Sequence, residues 1–268
     1  MTTLSLTKHH GLGNDFLVLF DPDVADLPAL ARRLCDRRRG VGADGLLVGT
    51  DEPGFVARMV LYNADGSRAE MSGNGIRCFA QAVAMRSGDL QPQRILTDAG
   101  ERTVELAEGP SLGVISAAVD MGEVRPLPEP SEWHRLGCDP MRPVSHLSLG
   151  NPHSVVAVDS VAEVDLLTLG LAVPQVNLEI VESGPEPDAV TMRVHERGAG
   201  ITEACGTGAC AVAWAAHQWG MVRPEAAEIT VHMDGGSAKV RLHSPSAGRV
   251  TLVGPAQYVA SISFDVEV

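Results

Sequence analysis

Apolar runs near the start, Leu4 to Leu6 and Phe16 to Phe20, read as strands on either side of a polar loop from His9 to Asp15. Val24 to Arg38 places Leu27, Leu30, Ala31, Leu34 and Cys35 at the spacing of one helical face, and the strand-like Leu46-Leu47-Val48 follows. Phe55 to Asn63 alternates through Val56, Arg58, Val60 and Tyr62 as a strand and ends in a turn, Ala64-Asp65-Gly66-Ser67. A Gly-rich stretch at Ser72 then opens a run of small apolar residues, and hairpin-like segments follow at 94–97, 103–107 and 112–121. Residues 122–143 are Pro-rich, show no periodicity and read as a linker.

Beyond it the order recurs. Ser154–Val158 reads as a strand, Val161–Val173 as a helix, and Asn177–Val181 and Val190–Glu196 as strands. A second Gly-rich stretch, Cys205-Gly206-Thr207-Gly208, opens a helix of Ala209, Ala211, Val212, Ala213, Ala215 and Ala216. Strands are expected at 229–233, 238–243 and 250–253, with 258–266 returning to the first half's sheet.

The two Gly-rich stretches superpose with Gly73 on Gly206, Gly75 on Gly208, Ala80 on Ala213 and Ala82 on Ala215, an offset of 205 − 72 = 133 residues in a chain of 268. Nine positions upstream of each cap stand Asn63 and Glu196, and Gly13-Asn14 pairs with Gly150-Asn151 at 151 − 14 = 137. Such spacing indicates an internal duplication of one topology, each copy offering a helix N-terminus to a common ligand. The expected halves are 1–121, completed by 257–268, and 122–256.

A helix N-terminus presents unpaired N–H groups and a positive dipole end, which dock a carboxylate and are expected to acidify the thiol of Cys205. Gly40-Val41-Gly42-Ala43-Asp44-Gly45 matches the dinucleotide fingerprint in form only, since an Arg-rich helix end precedes it and a strand follows. The tandem His9-His10 would point opposite ways on a strand, with no acidic partner at ligand spacing, so no metal site is assigned.

Composition excludes several classes. With 44 % hydrophobic and 21 % charged residues the chain can bury a sizeable core, and a formal charge of −13 opposes nucleic-acid and anionic-membrane partners. No signal peptide or spanning segment is legible, so a cytoplasmic location is expected. Five cysteines without a Cys-x-x-Cys suit reduced thiols.

Together Gly11-Leu12-Gly13-Asn14-Asp15-Phe16, Asn63-Ala64-Asp65-Gly66-Ser67, Ser72-Gly73-Asn74-Gly75-Ile76-Arg77-Cys78, Gly150-Asn151-Pro152-His153 and Glu196-Arg197-Gly198-Ala199-Gly200 through Cys210 resemble the diaminopimelate epimerase family over essentially the whole chain. The resemblance implies an α+β fold of two pseudo-symmetric halves, each a mostly antiparallel β-sheet or barrel wrapped around a central helix. It also implies epimerisation of LL- to meso-diaminopimelate without a cofactor, and a homodimer. Carried over, Cys205 is a catalytic base. Gly73, Asn74, Gly206 and Thr207 donate to the reacting carboxylate. Asn14, Asn63, Asn151, Asn177, Glu196 and Arg197 hold the amino and carboxylate groups, and His153 and Glu196 tune the thiol.

One departure matters most: the family's first catalytic cysteine is here Ser72, a far weaker acid. It fits a working epimerase with a weak second acid. It also fits a one-base relative, either an amino-acid dehydratase, in which Cys205 abstracts the proton and Ser72 assists elimination of a β-leaving group, or another amino-acid racemase. It also fits an introduced substitution or a non-catalytic binding protein. A second departure, Gly45 where many members carry glutamine, is expected to leave space or a water near the substrate's distal end.

Overall fold

The structure, a computed structural model, describes residues 2–243 and 248–266. Residues 1, 244–247, 267 and 268, which the expected halves include, lie outside them. The chain forms two compact units, one of residues 1–119 with 254–268 and the other of residues 120–253.

In the first unit β1 (Thr2–Gly11) and β2 (Asn14–Phe20) form a hairpin, and β2 lies parallel to β3 (Gly45–Thr50). β3 pairs antiparallel with β4 (Ala57–Asn63), which lies parallel to β6 (Gln93–Thr97); β5 (Arg68–Ala69) also pairs with β4. β7 (Gly100–Glu108), β8 (Val114–Glu123) and the later part of β17 (Arg249–Val266) follow, and β17 pairs back to β1. The strands close on themselves around α2 (Gly73–Ser87), which packs on β1, β2, β4 and β7.

Helix α1 (Leu27–Cys35) covers the outer face and is capped by Asp26, which accepts from the Ala29 N–H at 2.9 Å. Alternation divides β3 between these layers: Leu46 and Val48 join the α1 cluster, while Leu47 faces α2. Leu46-Leu47-Val48 is therefore a continuous apolar run, because the sheet is buried on both faces.

The second unit repeats this topology with β10 (Val144–Ser148), β11 (Pro152–Ala157), α3 (Leu166–Ala172), β12 (Asn177–Ser183), β13 (Ala189–Glu196), β14 (Gly200–Thr202), α4 (Gly206–Gln218), β15 (Glu228–Met233) and β16 (Gly236–Leu242). β11 and β12 are parallel, β12 and β13 antiparallel, and β13 and β15 parallel, matching β2, β3, β4 and β6. Leu178 and Ile180 join the cluster under α3, while α4 packs on β10, β11, β12, β13, β15 and β16. Helix α4 is buried almost all round, which its small side chains allow.

Two expectations fail locally. His9 to Asp15 is not a loop: β1 runs to Gly11 and β2 begins at Asn14, joined by a two-residue turn with Leu12 at φ 56° and Gly13 at φ 84°. Ladder pairing absorbs the polar residues, with His10 opposite Asp15. Nor is 122–143 a plain linker: β9 (Arg125–Pro126) pairs with β10, and Trp133 sits in the second unit's core, edge-on to His146 at 4.7 Å. A single anchoring aromatic leaves no periodicity to read.

Candidate active site

Ser72 is the N-cap of α2, with extended φ −137° and ψ 124°, and its Oγ accepts from the Gly75 N–H at 3.0 Å. Helix geometry leaves the Gly73 N–H, at the first helical position, without an intrahelical acceptor. Asn14, just past the β1–β2 turn, accepts through Oδ1 from Asn74 Nδ2 at 3.1 Å and donates to Asp44 Oδ2 at 2.7 Å. Asn63 instead donates to Ser67 Oγ at 3.0 Å, holding its own turn.

Beneath this lies Arg77, fully buried, which donates to Asn74 Oδ1, to the Gly73 carbonyl and to the Pro255 carbonyl. A Cβ on Gly254 would lie 3.0 Å from its guanidinium carbon. Arg77 stands within the Ser72–Cys78 motif without an assigned role, because an arginine inside a helix ordinarily faces solvent.

The second unit builds the same arrangement. Cys205 caps α4 with φ −126° and ψ 113°, and its Sγ accepts from the Gly208 N–H at 3.4 Å. Asn151 donates to Thr207 Oγ1 at 3.2 Å, and Thr207 Oγ1 lies 3.5 Å from Cys205 Sγ. His153 Nε2 meets Asn151 Oδ1 at 2.9 Å, and His153 Nδ1 meets Glu179 Oε1 at 2.6 Å, both side chains fully buried. Asn177 Oδ1 accepts from the Arg197 N–H at 2.8 Å, and Glu196 accepts from Thr202 Oγ1 at 2.5 Å. So Asn151, His153, Cys205 and Thr207 form one connected set, whereas Asn177 and Arg197 form a separate pair.

The expected acidification of Cys205 fails. Burial pushes its thiol well above the ordinary value, and the carboxylates of Glu196 and Glu179 push the same way, while the Thr207 hydroxyl and the Gly208 N–H offset only part. Magnitudes explain the outcome: a helix terminus contributes at most about 2 kcal/mol, whereas full burial shifts a pKa by up to roughly 3–5 units. Cys78, 0 % exposed, is pushed up by burial to about 12, as an inert core thiol should be.

Position 45 also departs from expectation, since a Cβ there would lie 2.8 Å from the Tyr62 carbonyl oxygen. Gly45 opens no space: it lets β3 press against β4. Glu179, absent from the sequence reading, is the main addition. Alternation places it on the α4 side of β12, yet a lone polar residue in a strand reads as solvent-facing until the covering helix is known. One open surface depression on the first unit, lined by Phe20, Asp21, Thr50, Val83, Arg86 and Gln93, holds none of these residues. Among the described residues no group of three or more His, Cys, Asp or Glu could hold a metal ion, and no helix is long and apolar enough to cross a membrane.

The family pattern described as diaminopimelate epimerase matches residues 6–127 and 146–259. A diaminopimelate epimerase of Desulforapulum autotrophicum is 38 % identical over 283 residues, covering 96 % of this chain and 97 % of its own. One of Thermosynechococcus vestitus is 40 % identical over 291 residues, covering 97 % and 98 %. Among solved structures, a phenazine biosynthesis protein of the PhzF family from Bacillus anthracis superposes with a TM-score of 0.78 at 14 % identity, over 99 % of this chain and 100 % of that one. A hydroxyproline epimerase from Agrobacterium vitis, with trans-4-hydroxy-L-proline bound, gives 0.66 at 13 % identity over 98 % and 91 %. These two likenesses concern the fold.

Proposed function

The chain belongs to the diaminopimelate epimerase family, and we propose that it interconverts LL- and meso-diaminopimelate by moving the α-proton, without pyridoxal phosphate, as a cytoplasmic homodimer. The observation that carries this reading is the duplicated cap. Ser72 and Cys205 take nearly the same backbone conformation at two helix starts, and in each unit an asparagine reaches the second helical residue, Asn14 to Asn74 and Asn151 to Thr207.

Without a cofactor, the negative charge that develops on the reacting carboxylate needs preorganised donors. The N–H groups of Gly73, Asn74, Gly206 and Thr207 are assigned that task, and Asn14, Asn63, Asn151, Asn177, Glu196 and Arg197 hold the substrate's polar groups. Cys205 exchanges the proton on one face of the α-carbon and Ser72 on the other. A thiol that rests protonated needs help to become a base. The substrate's ammonium group beside Glu196 supplies it by cancelling one carboxylate that opposes the thiolate.

Incubation with LL-diaminopimelate in deuterated water tests the reading. Deuterium in newly formed meso product is expected. Exchange with retained configuration would leave Cys205 working alone, and no exchange, with β-elimination from a β-hydroxy amino acid, would replace the epimerase by a dehydratase.

A further inference from the structure

The two units match in backbone but not in what underlies their caps. Parallel pairing sets Phe16 opposite Gly45 and Val18 opposite Leu47 in the first unit, and His153 opposite Asn177 and Val155 opposite Glu179 in the second. Repeat for repeat, Phe16 corresponds to His153 and Leu47 to Glu179. The contacts agree: a Cβ on Gly75 would lie 3.4 Å from Leu47 Cδ2, and one on Gly208 would lie 2.8 Å from Glu179 Oε1. An apolar pair thus underlies the serine cap, and a buried imidazole–carboxyl pair underlies the cysteine cap. Burying two such groups is costly, and Glu179 Oε2 has no hydrogen-bond partner among the described residues, so packing alone does not account for the pair.

We infer that Glu179 is a positioning residue: it holds a proton on His153 Nε2 and so fixes the direction of a hydrogen-bond chain that ends with the Thr207 hydroxyl donating to Cys205 Sγ. The chain is continuous. His153 Nε2–H donates to Asn151 Oδ1, Asn151 Nδ2 donates to Thr207 Oγ1, and the Thr207 O–H is then left to point at the sulfur. Glu179 and His153 Nδ1 share one proton across 2.6 Å. The pair then holds two protons, one between Glu179 and Nδ1 and one on Nε2; with one proton fewer, the carboxylate would draw the ring's hydrogen to Nδ1 and leave Nε2 bare. With Glu179 gone, a neutral His153 can place its single proton on Nδ1. Nε2 then accepts, the Asn151 amide turns over, and Thr207 donates to Asn151 instead of to sulfur. The thiolate loses a charge-assisted donor.

The inference rests on Cys205 being the base, but its test reads protons and thiol chemistry apart from turnover. Histidine nitrogen NMR on the full chain is expected to show His153 protonated at Nε2 in the unaltered protein, and moved substantially to Nδ1 in E179L, which copies Leu47 of the first unit. Iodoacetamide alkylation of Cys205 at fixed pH should slow about tenfold in T207V and also slow in E179L, where loss of the Thr207 donor outweighs relief of the Glu179 carboxylate that opposes the thiolate. Adding E179L to T207V should slow it no further, because the two act through one chain. An Nε2 that is unprotonated in the unaltered protein overturns the inference whether or not E179L folds. So does a His153 that keeps its Nε2 proton in E179L, or an E179L slowing of undiminished size in T207V. Proton exchange by the unaltered protein tests the base separately: if it fails while the NMR and alkylation results hold, the functional reading falls and the chain of hydrogen bonds stands.

Discussion

Ser72 and Cys205 share a capping geometry and differ in one atom, so their chemistry separates cleanly from their structural role. Both accept an N–H three residues on, at 3.0 Å and 3.4 Å. Cys205→Ala is expected to abolish α-proton exchange in deuterated water while the fold persists, and exchange that survives would place the base elsewhere. Ser72→Cys keeps the cap and supplies a more acidic partner, so epimerase turnover should rise; unchanged turnover would remove position 72 from the proton path. Asp15 offers a pH test. Burial pushes its carboxyl up, but Arg37 and Lys8, at 2.7 and 2.8 Å, outweigh it and hold it below the ordinary value of 3.8. A lowered folded-state pKa stabilises above the unfolded value and is lost as pH falls through the folded one. Asp15→Asn should therefore cost about 1.5–3 kcal/mol in denaturant titrations at pH 7 and progressively less below pH 3.8. The glycine spacing made the caps and their asparagines legible in the sequence. It could not reveal Glu179 or Arg77, whose meaning depends on which layer covers them.

At the scale of the element, the start of α4 is tighter than the start of α2. A methyl at position 208 would meet Glu179 Oε1 at 2.8 Å and Cys205 Sγ at 3.2 Å, whereas at position 75 the nearest atom is Ser72 Cβ at 3.1 Å. Gly208→Ala should therefore impair activity and lower thermal stability more than Gly75→Ala, by about 1–3 kcal/mol in the stability difference; equal effects would show that the second site relaxes freely. Long periodic elements such as α1, and runs such as Leu46-Leu47-Val48, were plain in the sequence because burial imposes a pattern on many residues at once. The hairpin at Leu12-Gly13 and the Trp133 anchor were not, since each depends on one or two residues whose partners lie far along the chain.

At the scale of the molecule, one strand serves both units: β17 pairs with β16 through Val250–Val253 and with β1 through Gln257–Val266. Removing residues 254–268 should strip hydrogen-exchange protection from β1 and β8 while leaving β12 and β13 protected. Loss of protection in both units would make them a single cooperative body. The duplication was readable from the offset of 133 residues, and 258–266 reads from its alternation as a strand returning to the first half's sheet; Gln257–Val266 pair with β1.

The same strand sets an order of events during synthesis. Residues 120–253 are contiguous, so the second unit has all its parts once Val253 has left the ribosome. The first unit, begun earlier, waits for residues 254–266 to complete it, and β1 remains an open edge throughout translation of everything between. The half made first is thus the half finished last, and its exposed edge is where a growing chain of this protein most needs a chaperone.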